Sequence, residues 1–103
     1  MPDQDNTDIE VVDHPEARRY EARAADGTVL GFSQYRVEGE TVVFTHTEVD
    51  PAFEGRGLAG QLARAALDDV RARGEQVIAR CEFIRGWIAK HPEYQDLVVS
   101  AHH

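Results

Sequence analysis

The chain has 103 residues, 42% hydrophobic and 29% charged, which suits one compact globular domain and is too apolar for a disordered segment. Its 11 basic and 19 acidic residues leave a net charge of −8, which argues against non-specific binding to phosphate backbones and favours a cationic partner. The single cysteine, Cys81, excludes an internal disulfide and points to a reducing compartment. No apolar run approaches the ~20 residues that span a bilayer, and the opening lacks a basic-then-apolar signal pattern. A cytoplasmic protein is therefore expected, without membrane or nucleic-acid partners, as a monomer or weak dimer.

Residues 1–8 are polar and acidic and read as a disordered leader, residues 9–100 as one domain and residues 101–103 as a tail. Alternating apolar positions predict strands over residues 9–13, 18–25, 29–37 and Thr41–Val49. Turn signals separate them at Asp26-Gly27 and at Glu38-Gly39-Glu40. In the fourth segment Val42 and Phe44 occupy one face and Val43 the other, which suits a central strand covered on both sides. Strict alternation puts His46 and Glu48 on the face that Val42 and Phe44 begin.

From Gly57 the period becomes helical, with Leu58, Leu62, Ala66 and Val70 on one face and Gln61, Arg64, Asp68 and Arg71 opposite. Gly74 is placed to cap that helix. A strand over residues 76–81, a helix over 82–91 stopped by Pro92, and a last strand over 97–99 complete the order. Phe83 and Trp87, four apart, read as core. A helix between two strands makes a βαβ crossover, so the fourth and fifth strands should be parallel.

The segment from Val49 to Gly60 carries the chemistry. A strand ends, Pro51 turns the chain, and Gly55, Gly57 and Gly60 surround the start of an amphipathic helix. Glycines let backbone amides converge, and the helix adds its unpaired N-terminal amides and roughly half a positive charge. This makes an anion site suited to a phosphate or pyrophosphate, with Arg56 as a fixed cation beside it. The same glycines also suit a plain turn before a buried helix. The segment is neither a P-loop, lacking Gly-Lys-Ser/Thr, nor a GxGxxG dinucleotide loop.

The segment resembles the acetyl-CoA signature of the GNAT superfamily of N-acetyltransferases, Gln/Arg-x-x-Gly-x-Gly/Ala, with Glu54, Gly57 and Ala59 at the specified positions and Glu54 departing from Gln or Arg. His46-Thr47-Glu48-Val49, Glu54-Gly55-Arg56-Gly57, Cys81 and His91-Pro92-Glu93-Tyr94 resemble the small YjdJ-type branch, across residues 18–99. The resemblance implies a minimal GNAT fold, α/β (α+β by some schemes), with a mixed, mostly antiparallel sheet, one parallel βαβ splay and two helices. It implies acetyl-CoA as cosubstrate and no metal. Backbone near Glu48 and Val49 would pair with pantetheine, and Glu54, Gly55, Arg56, Gly57, Leu58, Ala59 and Gly60 would hold the pyrophosphate.

The implied reaction is attack of a primary amine, on a small cation or a protein lysine, on the acetyl thioester. Glu48 is the first candidate base and His46 the second, while Tyr94 is a candidate acid. Cys81 is expected beside the thioester, first as a lining residue, second as a transient acetyl carrier, or else as a site of disulfide formation with CoA. The alternative function is a CoA or acyl-CoA sensor with little turnover.

Overall fold

The structure, a computed structural model, describes residues 9–53 and 57–99. The expected leader and tail, together with Glu54, Gly55 and Arg56, lie outside them. Five strands form one sheet in the order β1 (Glu10–His14), β2 (Arg19–Arg23), β3 (Val29–Glu38), β4 (Thr41–Val49) and β5 (Gln76–Ala79). The first four pair antiparallel and β4 pairs parallel with β5. Helix α1 (Leu58–Ala72) makes the crossover between β4 and β5, and α2 (Glu82–Ala89) follows β5. Among the described residues no helix is long and apolar enough to cross a membrane.

The turns form where the small residues stand. Gly27 takes φ 92°, Thr28 N donates to the Asp26 carboxylate at 3.0 Å, and the β2–β3 hairpin closes around them. Gly74, at φ 73°, ends α1, with Gly74 N donating to Arg71 O and Glu75 N to Val70 O. Those two bonds are the Schellman pattern, which satisfies carbonyls the helix end would otherwise strand. The expected strand at residues 97–99 is not formed. Leu97 closes a 3-10 helix (Pro92–Leu97), and only Val98 bridges β5, at Val77. Pro92 fixes φ for the first helical position, and the chain coils through that segment instead of extending.

Both helices pack on one face of the sheet. Leu58, Leu62, Ala66, Leu67 and Val70 of α1 and Ile84 and Ile88 of α2 meet Tyr20, Tyr35, Val42 and Phe44 in a single core. The start of β4 is buried on both faces as expected, Val42 and Phe44 against this core and Val43 on the other side, although both helices lie on one face only. The C-terminal end of α1 is also clasped to the strands. Tyr20 donates to Asp69 at 2.7 Å and Tyr35 to Asp13 at 2.6 Å, and Arg73 bridges both carboxylates. Burial and then the adjoining carboxylate push both hydroxyls above the ordinary tyrosine range, so they stay protonated and donate.

A bulge reorganises β4. Gln34 pairs with His46 but Tyr35 pairs with Phe44, so Thr45 is an extra residue without a cross-strand partner. Each residue after it changes face. Thr47 and Val49 continue the helix-side face of Phe44, while His46 and Glu48 face the opposite side. This corrects strict alternation, because the extra residue reverses the period of two.

That opposite face carries a charged cluster. Glu21, only 2% exposed, accepts from Arg19 Nε at 2.6 Å and from Arg23 Nε and Nη2 at 2.9 and 2.6 Å, with His14 Nδ1 at 3.2 Å. Burial alone would raise its pKa, but the bonds from Arg23, Arg19 and His14 outweigh it and bring the value from 4.5 to about 2. The stability this contributes is present above the unfolded value and is lost as pH falls from about 4.5 towards 2. Glu21→Gln is expected to cost about 1–3 kcal/mol near neutrality by stranding its cationic partners. Urea unfolding at stepped pH should show a flatter acid limb for the variant than for the wild type. Equal acid limbs would remove Glu21 as their cause.

Candidate active site

The β4–β5 ladder is short. Its registered pairs run from Thr41–Gln76 to Phe44–Ala79, and then Arg80 N and Cys81 N both donate to Phe44 O at 3.0 Å. Beyond Phe44, no described strand pairs with that edge of β4, just where the Thr45 bulge bends it. Its backbone groups are open to a ligand that can pair as an added strand does. Gly31 holds this stretch from the other side. A Cβ there would lie 2.9 Å from Glu48 O and 3.3 Å from Val49 Cα, so only glycine lets β3 and β4 approach this closely.

On the helix side, this edge forms one wall of a cleft of about 420 Å³. Thr47 and Val49 come from β4, Gly57 to Gly60 from the start of α1, and Phe83 and Trp87 from α2. Gly57 is the N-cap of α1 at φ 78°, a conformation that favours glycine, with no side-chain cap and no acid in the first turn. Its carbonyl accepts from Gln61 N at 3.0 Å. The amides of Leu58, Ala59 and Gly60 therefore precede the intrahelical ladder and carry the positive end of a 15-residue helix. A Cβ on Gly60 would lie 3.4 Å from Trp87 Nε1, in van der Waals contact with the aromatic wall.

An apolar trough leading to an uncapped helix start suits a ligand with an extended amide-bearing arm and a phosphate. Acetyl-CoA has that form, so the residues present fit the expected cosubstrate. Phe83 and Trp87 were expected in the core. Phe83 is instead 36% exposed and Trp87 half-buried at the core's edge, and the two wall the cleft. Thr47 is a site residue the sequence reading missed, because without the bulge it belongs to the other face.

Cys81 is the N-cap of α2 and is buried. Its Sγ donates to Thr47 Oγ1 at 3.3 Å, and that hydroxyl shares a 2.9 Å bond with Ser33 Oγ. The thiol therefore stands where β4 and β5 part, behind the Thr47 wall.

Glu48 and His46 lie on the other side of the sheet. His46 Nε2 is 2.8 Å from Glu48 Oε2, and the two side chains are 53% and 62% exposed. Glu48 edges a shallow pocket of about 270 Å³ with Asp50, Arg19 and Phe32. Tyr94 lines neither pocket but stands behind the cleft wall, its ring centre 5.4 Å from that of Trp87. It is buried, donates to Asp68 at 2.6 Å and accepts from Arg64 Nη1 at 3.1 Å. Burial and the Asp68 carboxylate push its pKa up, so its proton is committed to Asp68. Arg64 also sits over the Trp87 ring at 5.3 Å, which ties this network to the back of the cleft wall.

The structure thus gathers Val49, Gly57, Leu58, Ala59 and Gly60 at one cleft with Cys81 close behind it, and puts His46 and Glu48 together on the opposite face. The part of the expected signature at Glu54, Gly55 and Arg56 lies outside the described residues.

A family model described as GCN5-related N-acetyl-transferase matches residues 19–97. Protein NATD1 of Xenopus tropicalis is 40% identical over 53 residues, covering 52% of this chain and 49% of that protein. Protein NATD1 of Homo sapiens is 37% identical over 59 residues, covering 56% of this chain and 52% of that protein. The chain spans about half the length of the curated relatives it matches. The solution NMR structure of a GCN5-like protein from Staphylococcus aureus superposes with a TM-score of 0.69 over 94% of each chain, at 22% identity, a likeness of fold.

Proposed function

Because the chain belongs to the GCN5-related N-acetyltransferase family, we propose that it transfers the acetyl group of acetyl-CoA to a primary amine on a small cationic molecule or a protein lysine. The finer YjdJ-type assignment is part of the same proposal and rests on His46-Thr47-Glu48-Val49, Glu54-Gly55-Arg56-Gly57, Cys81 and His91-Pro92-Glu93-Tyr94 together. One observation carries the reading: the unpaired edge of β4 and the uncapped start of α1 share a single cleft.

The pyrophosphate lies at the amides of Leu58, Ala59 and Gly60, each bond contributing about 1.5–3 kcal/mol, as hydrogen bonds to charged groups do. The pantetheine arm pairs with the free edge of β4, between Thr47 and the aromatic pair Phe83 and Trp87. The thioester then reaches the point where β4 and β5 part, beside Thr47 and Cys81, with Cys81 as a lining residue. The amine approaches from the opposite face, where the Glu48–His46 pair stands.

The amine must be neutral to attack. A lysine-like amine with pKa near 10.4 costs about 4.6 kcal/mol to deprotonate at pH 7. Glu48 takes that proton, directly or through a water, with His46 holding its carboxylate. The nitrogen lone pair forms the C–N bond at the acetyl carbon, the C–S bond breaks, and the second proton lost by the nitrogen passes to the departing CoA sulfur, leaving an amide and the CoA thiol. The chain's net charge of −8 draws a cationic acceptor towards the site.

Glu48→Gln tests the assignment. Turnover at pH 7 is expected to fall about a hundredfold, as for loss of a general base, with much of the loss recovered near pH 10 where the amine sheds its own proton. Steady-state rates from pH 6 to 10 read both effects. A variant with wild-type turnover at neutral pH removes Glu48 from the mechanism.

A further inference from the structure

On the sheet face away from the helices, Glu48 shares its pocket with a cation. The carboxylates of Glu48 and Asp50 stand at one side, the Arg19 guanidinium at the other, and Phe32 between them. Arg19 is fixed by two contacts. Its Nε donates to Glu21 at 2.6 Å and its guanidinium carbon lies 4.7 Å from the centre of the Phe32 ring. Its terminal nitrogens have no partner among the described residues. Glu21 is one carboxylate shared by two guanidinium groups, Arg19 and Arg23, so it engages Arg19 through Nε alone and leaves the terminal side of that fork uncommitted. A half-used guanidinium fork, held in place beside an aromatic face, is preorganised for a carboxylate.

We propose that the acceptor is a zwitterion, a primary amine that carries a carboxylate at the far end of a short apolar stem. Its ammonium end sits at Glu48, its stem crosses Phe32 and its carboxylate takes the free side of Arg19. Phe32 and Glu48 face each other in register, and β2 lies on the other side of β3. Two interstrand spacings, about 10 Å, separate the anchoring strands, and Arg19, in register with Gln34, reaches back over the Phe32 ring, so a short stem suffices to join the two ends. The proposal rests on the reading of Glu48 as the group that meets the amine, and it replaces the net cation of that reading with an amino acid-like acceptor, held by local charges at its two ends rather than drawn by the net charge of the chain.

Three acceptors of one length test it: ε-aminocaproate, hexylamine and hexamethylenediamine, assayed by acetyl-CoA consumption against an acceptor-free control. The expected kcat/KM is at least tenfold higher for ε-aminocaproate than for hexylamine, with the diamine lowest. In Arg19→Gln that ratio should fall close to one. Arg19→Lys, which keeps a cation beside Glu21 but loses the fork, should lower it as well. Equal use of all three, preference for the diamine, or a ratio that survives in both variants overturns the zwitterion and leaves the acetyltransferase standing. Consumption no faster than the acceptor-free rate with every acceptor overturns both.

Discussion

Gly57→Val is expected to weaken CoA binding about a hundredfold, close to 2.7 kcal/mol, the worth of one or two amide-to-phosphate hydrogen bonds. Gly57 holds φ 78°, where a β-branched side chain is strained whatever space surrounds it. Relief of that strain would swing the residue out of the left-handed region and turn the amides of Leu58 to Gly60 away from their common point. Strain alone costs roughly 1–3 kcal/mol of stability, so binding and folding must be separated. Gly39 provides the control. It holds φ 63° in the β3–β4 turn, with nothing within 4 Å of an added Cβ, and has no part in the cleft. Gly39→Val should lose stability to a similar degree and keep its affinity for CoA. Calorimetric titration well below the melting point reads both variants. Equal affinities in the two would show that the turn at residue 57 matters for folding alone.

Gly31→Val is expected to damage fold and activity together. The added Cβ would meet Glu48 O at 2.9 Å and Val49 at 3.2 Å, and neither the carbonyl nor the β4 backbone can step aside without breaking the β3–β4 register. Overpacking of this kind costs about 1–3 kcal/mol. For a domain this small that is roughly 4–8 °C of Tm for each kcal/mol. Turnover should fall more than tenfold even where the variant is fully folded, because the displaced stretch carries Glu48 on one face and the free edge on the other. Thermal melts and rates at a temperature below both transitions separate the two losses. A Gly31→Val protein with wild-type turnover in its folded range would mean that the spacing of β3 and β4 does not position the site.

The architecture was largely legible in the order of residues. Asp26-Gly27 marks a hairpin because few residues take positive φ, and Leu58, Leu62, Ala66 and Val70 mark a helix because one face must be buried. The parallel pairing of β4 with β5 follows from the helix between them. The facing of the site was not legible. Thr45 is extra only relative to β3, since Gln34 and Tyr35 pair with His46 and Phe44, and nothing in the string Thr41–Val49 announces the bulge. That one residue exchanges the places of Thr47 and Glu48, and hence of the cosubstrate and acceptor sides.

Phe83 and Trp87 show a second limit. Their spacing says that they share a helix face, but whether that face meets the core or a cleft depends on Gly60, a residue on another helix that leaves room beside the indole. Residues 97–99 show a third. Their composition suits a strand, yet after Pro92 the chain coils through Leu97, and the contact with β5 is a single bridge of Val98 with Val77, closed by Val99 N donating to Val77 O.

Amide chemical shifts during titration of the isotopically labelled protein with CoA address the cleft directly. The largest changes are expected at Leu58, Ala59 and Gly60 and along Thr45, Thr47 and Val49, with the indole N–H of Trp87 moving with them. Changes confined to other surfaces, or a spectrum indifferent to CoA at millimolar concentration, would contradict a cosubstrate seated between the start of α1 and the open edge of β4.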